Sequence, residues 1–275
     1  GDPSATGSRQ YTSARTTRNI AKAVIGMADS SKTVEEKKTN FETGIKMYQQ
    51  SLNEFASIKE PLWKPLGQFA AAMVNQVLMA LYNDARWDDV SCRSSADGNS
   101  VSRLSTDIAR KEEAKRRGEL ARGLFLESID AAEKALVNEM GQDDRQRLKT
   151  TVSLAKKQIA ATYLSTGQAA VAAAGNDKNR LEQSKKDFIE GLAYALNLQK
   201  EWDFATESAI EKLTTEMPNG WNDIFSSYYF IVKTDLDALR QNPTAEGIQQ
   251  LIESASDLSL VAEVAINDLM DELRI

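Results

Sequence analysis

Three aspartates, Asp84, Asp88 and Asp89, come nearest to a metal site in type and spacing. Carboxylates four residues apart on a helix share a face and can hold a hard cation. No glycine-punctuated calcium loop surrounds them and no Glu-x-x-His motif occurs, so a solvated helix end is the expected reading. Cys92 is the single cysteine, which excludes an intramolecular disulfide. It lies in the polar stretch Asp88–Ser95, expected to be an exposed loop, and has no histidine to act as its base. The whole chain contains no histidine. That excludes a Ser-His-Asp triad, a Cys-His pair, and histidine-ligated zinc, haem or iron. A glycine-rich phosphate loop and a Gly-x-Ser-x-Gly elbow are also missing. Catalysis would have to rest on carboxylates, lysines and tyrosines, and the expectation is a protein that is not an enzyme and holds no cofactor.

Other groups are placed for binding rather than reaction. Arg110, Lys111, Lys115, Arg116, Arg117 and Arg122 form a basic cluster interleaved with Glu112, Glu113 and Glu119. Pairs at i,i+3 and i,i+4 suggest a salt-bridged, solvated helix face. The functional alternative is a docking stripe for an acidic partner or lipid headgroups. Aromatic interleaving of the kind that stacks bases is missing, so nucleic acid is not an expected partner. The last third gathers Trp202, Phe204, Trp221, Phe225, Tyr228, Tyr229 and Phe230. Helical spacing makes most of these core residues, with Trp221, Tyr228 and Tyr229 as candidates for an interface. Arg9, Arg15 and Arg18 are candidates near the start.

Charge is unevenly distributed along the 275 residues. Residues 1–32 carry five basic side chains against two acidic, and residues 201–275 carry fifteen acidic against four basic. The two regions can attract each other, within one chain or between copies. The net charge of -6 disfavours wholesale nucleic-acid binding. The small polar start at Gly1 fits a tag scar or a mature chain left by leader removal, for secretion, the periplasm or an organelle lumen.

The elements that must position these groups are helical. Thr33-Val34-Glu35-Glu36 is a capping-box pattern, and Phe41, Ile45, Tyr48, Leu52, Phe55 and Ile58 then make one apolar stripe ending before Pro61. Residues 65–83 carry no charge; Gln68, Asn75 and Gln76 argue for a buried central helix rather than a membrane span. Residues 84–100 read as a long loop, and 102–140 as a long helix with Gly118 and Gly123 as breaks and Gly141 as its stop. Helices are expected over 143–166, 177–200, 202–217, 221–241 and 245–273, with Gly167–Gly175 either helix or a wide turn. The expected fold is all-α, with roughly nine or ten helices in antiparallel hairpins and no strand. Residues 1–30 are expected to form a basic arm with a short helix, and 31–275 a single domain.

The segment Lys157–Gly167 resembles the first helix of a tetratricopeptide repeat, with Ala160, Tyr163 and Gly167 at that family's small, aromatic and glycine positions. Phe188–Leu198 resembles the second helix, with Ala195-Leu196 as its small-large ending; Ser51-Leu52 and Ala135-Leu136 are similar endings. The likeness is concentrated around 148–200. It implies a helical-hairpin array and carries no functional residues with it.

Together these features lead to the expectation of a non-catalytic scaffold or adaptor subunit that binds protein partners, copies of itself among them. The rivals are a peripheral subunit of a membrane complex, touching it through residues 65–83 or the basic cluster, and a carboxylate-only metal- or cofactor-binding bundle. The arm Gly1–Arg18 is expected to clip a neighbouring subunit, so that deleting residues 1–18 weakens assembly and leaves helicity intact.

Overall fold

The computed structural model describes residues 3–84, 87, 92–95, 101–104, 107–174, 185–191 and 220–273. Its elements are helices α1 (Pro3–Asp29), α2 (Val34–Ala56) and α3 (Lys64–Asn83), strands β1 (Cys92–Ser95) and β2 (Val101–Leu104), then α4 (Asp107–Leu136), α5 (Gln142–Ala174), α6 (Gly220–Gln241) and α7 (Ala245–Leu273). A short helical stretch occupies 185–191, making eight helical segments among the described residues rather than nine or ten. The expected helix over 202–217 lies outside the described residues. The chain divides into two compact units, Gly1–Gln158 and Ile159–Ile275, with the boundary inside α5.

The first unit departs from the expected arm. α1 is a 27-residue helix, and a four-residue connection turns the chain back so that α2 packs antiparallel along it. The buried positions of α1 include Gly7, Ala14, Ala21 and Ala28, one every seventh residue. Seven residues are nearly two turns, so these small side chains line one face and let the backbones close. Ser51 Oγ on α2 donates to the Ala14 carbonyl at 3.0 Å. A Cβ added to Gly44 would sit 2.6 Å from Ile25 Cδ1. α4 repeats the device with buried Ala114, Ala121, Ser128 and Ala135. There Ser128 Oγ donates to the Pro65 carbonyl of α3 at 2.8 Å.

The expected stripe of α2, Phe41 to Ile58, is buried throughout and meets Ala70, Ala71, Val74, Leu78 and Tyr82 of α3. Each large side chain buried there contributes about 1.5–3 kcal/mol. Trp87 is fully buried in the same cluster, its ring 4.4 Å from Phe41. The capping box forms in a shifted version: Thr33 Oγ1 accepts from the Glu36 N–H at 3.1 Å, while the Glu36 carboxylate reaches back to the Lys32 N–H at 3.3 Å. α3 is the buried central helix, and no helix among the described residues is long and apolar enough to cross a membrane.

The 84–100 loop is corrected in part. β1 and β2 pair antiparallel, from Cys92 opposite Leu104 to Ser95 opposite Val101. Four-residue strands are too short to display alternation, and the signal present was Asp97-Gly98, a dipeptide that hairpin turns favour. α4 therefore starts at Asp107 rather than near Ser102 and runs unbroken through Gly118 and Gly123. Gly141 opens α5, its carbonyl accepting from the Arg145 N–H at 3.0 Å, rather than closing α4.

In the second unit two glycines sit in close helix packing. A Cβ on Gly167 would fall 2.5 Å from Phe188 Cε1, and one on Gly191 would fall 2.8 Å from Tyr163 Cβ. Phe188 stacks on Phe230 of α6 at 5.3 Å. Lys185 Nζ pairs with Asp235 Oδ1 at 2.5 Å. α5 continues as helix through Gly167 to Ala174, and Tyr228–Val232 lies in α6, not in a strand.

Candidate functional site

The basic cluster divides between the two faces of α4. Arg110, Glu113 and Arg117 recur at three and four residues, in phase with Ala114, Ala121, Phe125 and Ser128, and all are buried. Arg117 is 3% exposed. Its Nε donates to Glu113 Oε1 at 2.8 Å, its Nη1 to Asn75 Oδ1 of α3 at 3.2 Å and its Nη2 to Gln49 Oε1 of α2 at 3.4 Å. One planar guanidinium thus ties three helices, a role for which its fixed fork of donors is suited. Arg110 Nη1 donates to the carbonyl of Asp84 at 3.1 Å, at the end of α3. Arg116, half exposed, closes the network with two bonds to Glu113, Nε to Oε2 at 2.7 Å and Nη2 to Oε1 at 2.6 Å.

Burial pushes the Glu113 carboxyl up. The Arg116 hydrogen bonds, the charges of Arg117 and Arg116 and the Arg117 hydrogen bond together outweigh that, holding it below the usual carboxylate range. With two arginines on it, Glu113 is a fixed anion and a poor proton carrier near neutral pH. The network is a clamp. Arg117, expected on a partner-facing stripe, is turned inward because its position continues the buried face of the helix.

The other candidates scatter. Arg9 and Arg15 are exposed on α1, Arg9 Nε donating to the Ala5 carbonyl of its own helix at 3.1 Å. Arg18 is half buried; burial raises the Tyr48 hydroxyl above its ordinary pKa, and the charge of Arg18 offsets part of that. Lys115 is half buried on α4. Tyr229 is exposed on α6, edge-on to Phe230 at 5.3 Å. Trp221 and Tyr228 lie on α6, but their side chains fall outside the described residues, as do all of Asp88 and Asp89 and the thiol of Cys92. Among the described residues no group of three or more Asp, Glu or Cys is placed to hold a metal ion.

The exposed apolar side chains of the first and last helices described are not among the candidates drawn from the sequence. On α1, Ile20, Ala23 and Met27 follow at i, i+3 and i+7, all exposed, with Ile20 46% and Met27 57% exposed. On α7, Ile248, Ile252 and Ala255 follow at i, i+4 and i+7, also exposed, the isoleucines 50% and 54% exposed. The α3 helix, uncharged over 65–83 and offered as a membrane contact, has its apolar face in the core instead. The signal for α7 was present in the sequence. Leu251, Ser254 and Leu258 form one stripe and Ile248, Ile252 and Ala255 a second, which is more apolar surface than one neighbouring helix covers.

No family model matches the chain, and no curated protein matches it. Among solved structures, a chain of the DHF58 filament is similar at a TM-score of 0.50 and 9% identity, over 96% of this chain and 99% of its own. The de novo designed helical repeat protein DHR64 is similar at 0.44 and 12% identity, over 96% and 99%. A chain described under the computational design of self-assembling cyclic protein homooligomers reaches 0.32 and 12%, over 98% and 99%. The likeness to the first speaks for the fold alone.

Proposed function

We propose that this chain is a non-catalytic helical-hairpin scaffold of tetratricopeptide-like build, whose outer helix faces bind other protein chains in an assembly. The observation that carries the reading is the exposed pair Ile248 and Ile252 on a helix otherwise rich in acids. Large apolar side chains aligned on one helix face gain by being covered, and charged neighbours set the orientation of what covers them. The buried ionisable groups support the same reading. Arg110 and Arg117 donate across to neighbouring elements and Glu113 fixes Arg117 in place, so these ionisable groups serve the architecture.

The test is a photo-crosslinking residue placed at the exposed Gln249, beside the isoleucine pair, in the full chain within its native extract. An adduct with a polypeptide, lost when Ile248→Asp and Ile252→Asp are added, supports the reading. Labelling unchanged by those substitutions, or none at all, overturns it.

A further inference from the structure

We draw no further inference here: the strongest candidate, the exposed apolar surface patch of Ile20, Ala23 and Met27 on α1, carries no proposal because nothing in the structure shows what covers it.

Discussion

Arg117 of α4 donates to the side-chain oxygen of Asn75 of α3 at 3.2 Å, and neither residue reaches the surface. Asn75 uses its other end as well, its Nδ2 donating to the Ala71 carbonyl at 3.2 Å. This amide, within the uncharged stretch 65–83, is therefore the socket for a guanidinium from the next helix. Arg117→Ala should cost about 1–3 kcal/mol, because it takes the donor from the buried Asn75 amide oxygen and leaves Glu113 to Arg116 alone. Arg117→Lys should recover only part of that, since a single ammonium cannot serve Glu113, Asn75 and Gln49 at once. Urea midpoints of the three proteins check both statements.

The carboxylate in the same network gives a pH dependence with a definite sign. Glu113 is held below its ordinary value of 4.5 in the folded chain, so the unfolded chain takes up the proton more readily. The stabilisation is complete above that ordinary value and is lost as pH falls through the lower, folded one. Glu113→Gln should be less stable than wild type at neutral pH, and the gap between them should narrow in acid. A gap that stays constant down to the acid transition would exclude this account.

Two glycines in long helices should respond oppositely to alanine. Gly123 has nothing within 4 Å of an added Cβ, so Gly123→Ala should stabilise by up to about 1 kcal/mol through helix propensity. Gly167 faces the Phe188 ring, with three ring carbons between 2.5 and 2.9 Å of an added Cβ. A ring stacked on Phe230 cannot swing aside as an isoleucine tip can, so Gly167→Ala should destabilise by about 1–3 kcal/mol despite the same propensity gain. Thermal melts of the two variants give the comparison.

Why these two glycines differ was half visible in the sequence. Gly167 stood at the close-packing position of a recognisable hairpin, beside Ala160 and Tyr163. The α2 stripe and the buried α3 were legible because large apolar residues recur at helical spacing. What escaped notice was written in small and charged residues. Gly7, Ala14, Ala21 and Ala28 are too small to mark a face by hydrophobicity, so α1 looked like a short helix on a polar arm. Arg110, Glu113 and Arg117 look solvated by type, and only their phase with Ala121 and Phe125 places them inside. The exposed stripes of α1 and α7 were obscured for a different reason: periodicity shows that a face is apolar, but not that it lacks a neighbour.

The placement of α1 reverses the outcome expected from removing the first eighteen residues. Tyr11 lies between two aromatic rings, 5.6 Å from Phe55 and 5.5 Å from Trp63, and Gly7 is pressed against Trp63. Thr17 Oγ1 donates to Glu54 Oε2 at 2.8 Å, and the Ala14 carbonyl receives the buried Ser51 hydroxyl. Deleting residues 1–18 takes away all of these partners and opens one side of Leu52 and Phe55 to water. Exposed apolar surface costs about 25 cal/mol per Å², so two large side chains and an aromatic contact amount to several kcal/mol. The truncated chain should lose more helical signal than the deleted residues account for, and its denaturant midpoint should fall. A midpoint equal to that of the full chain would mean that α1 is an appendage after all, and that its neighbours pack without it.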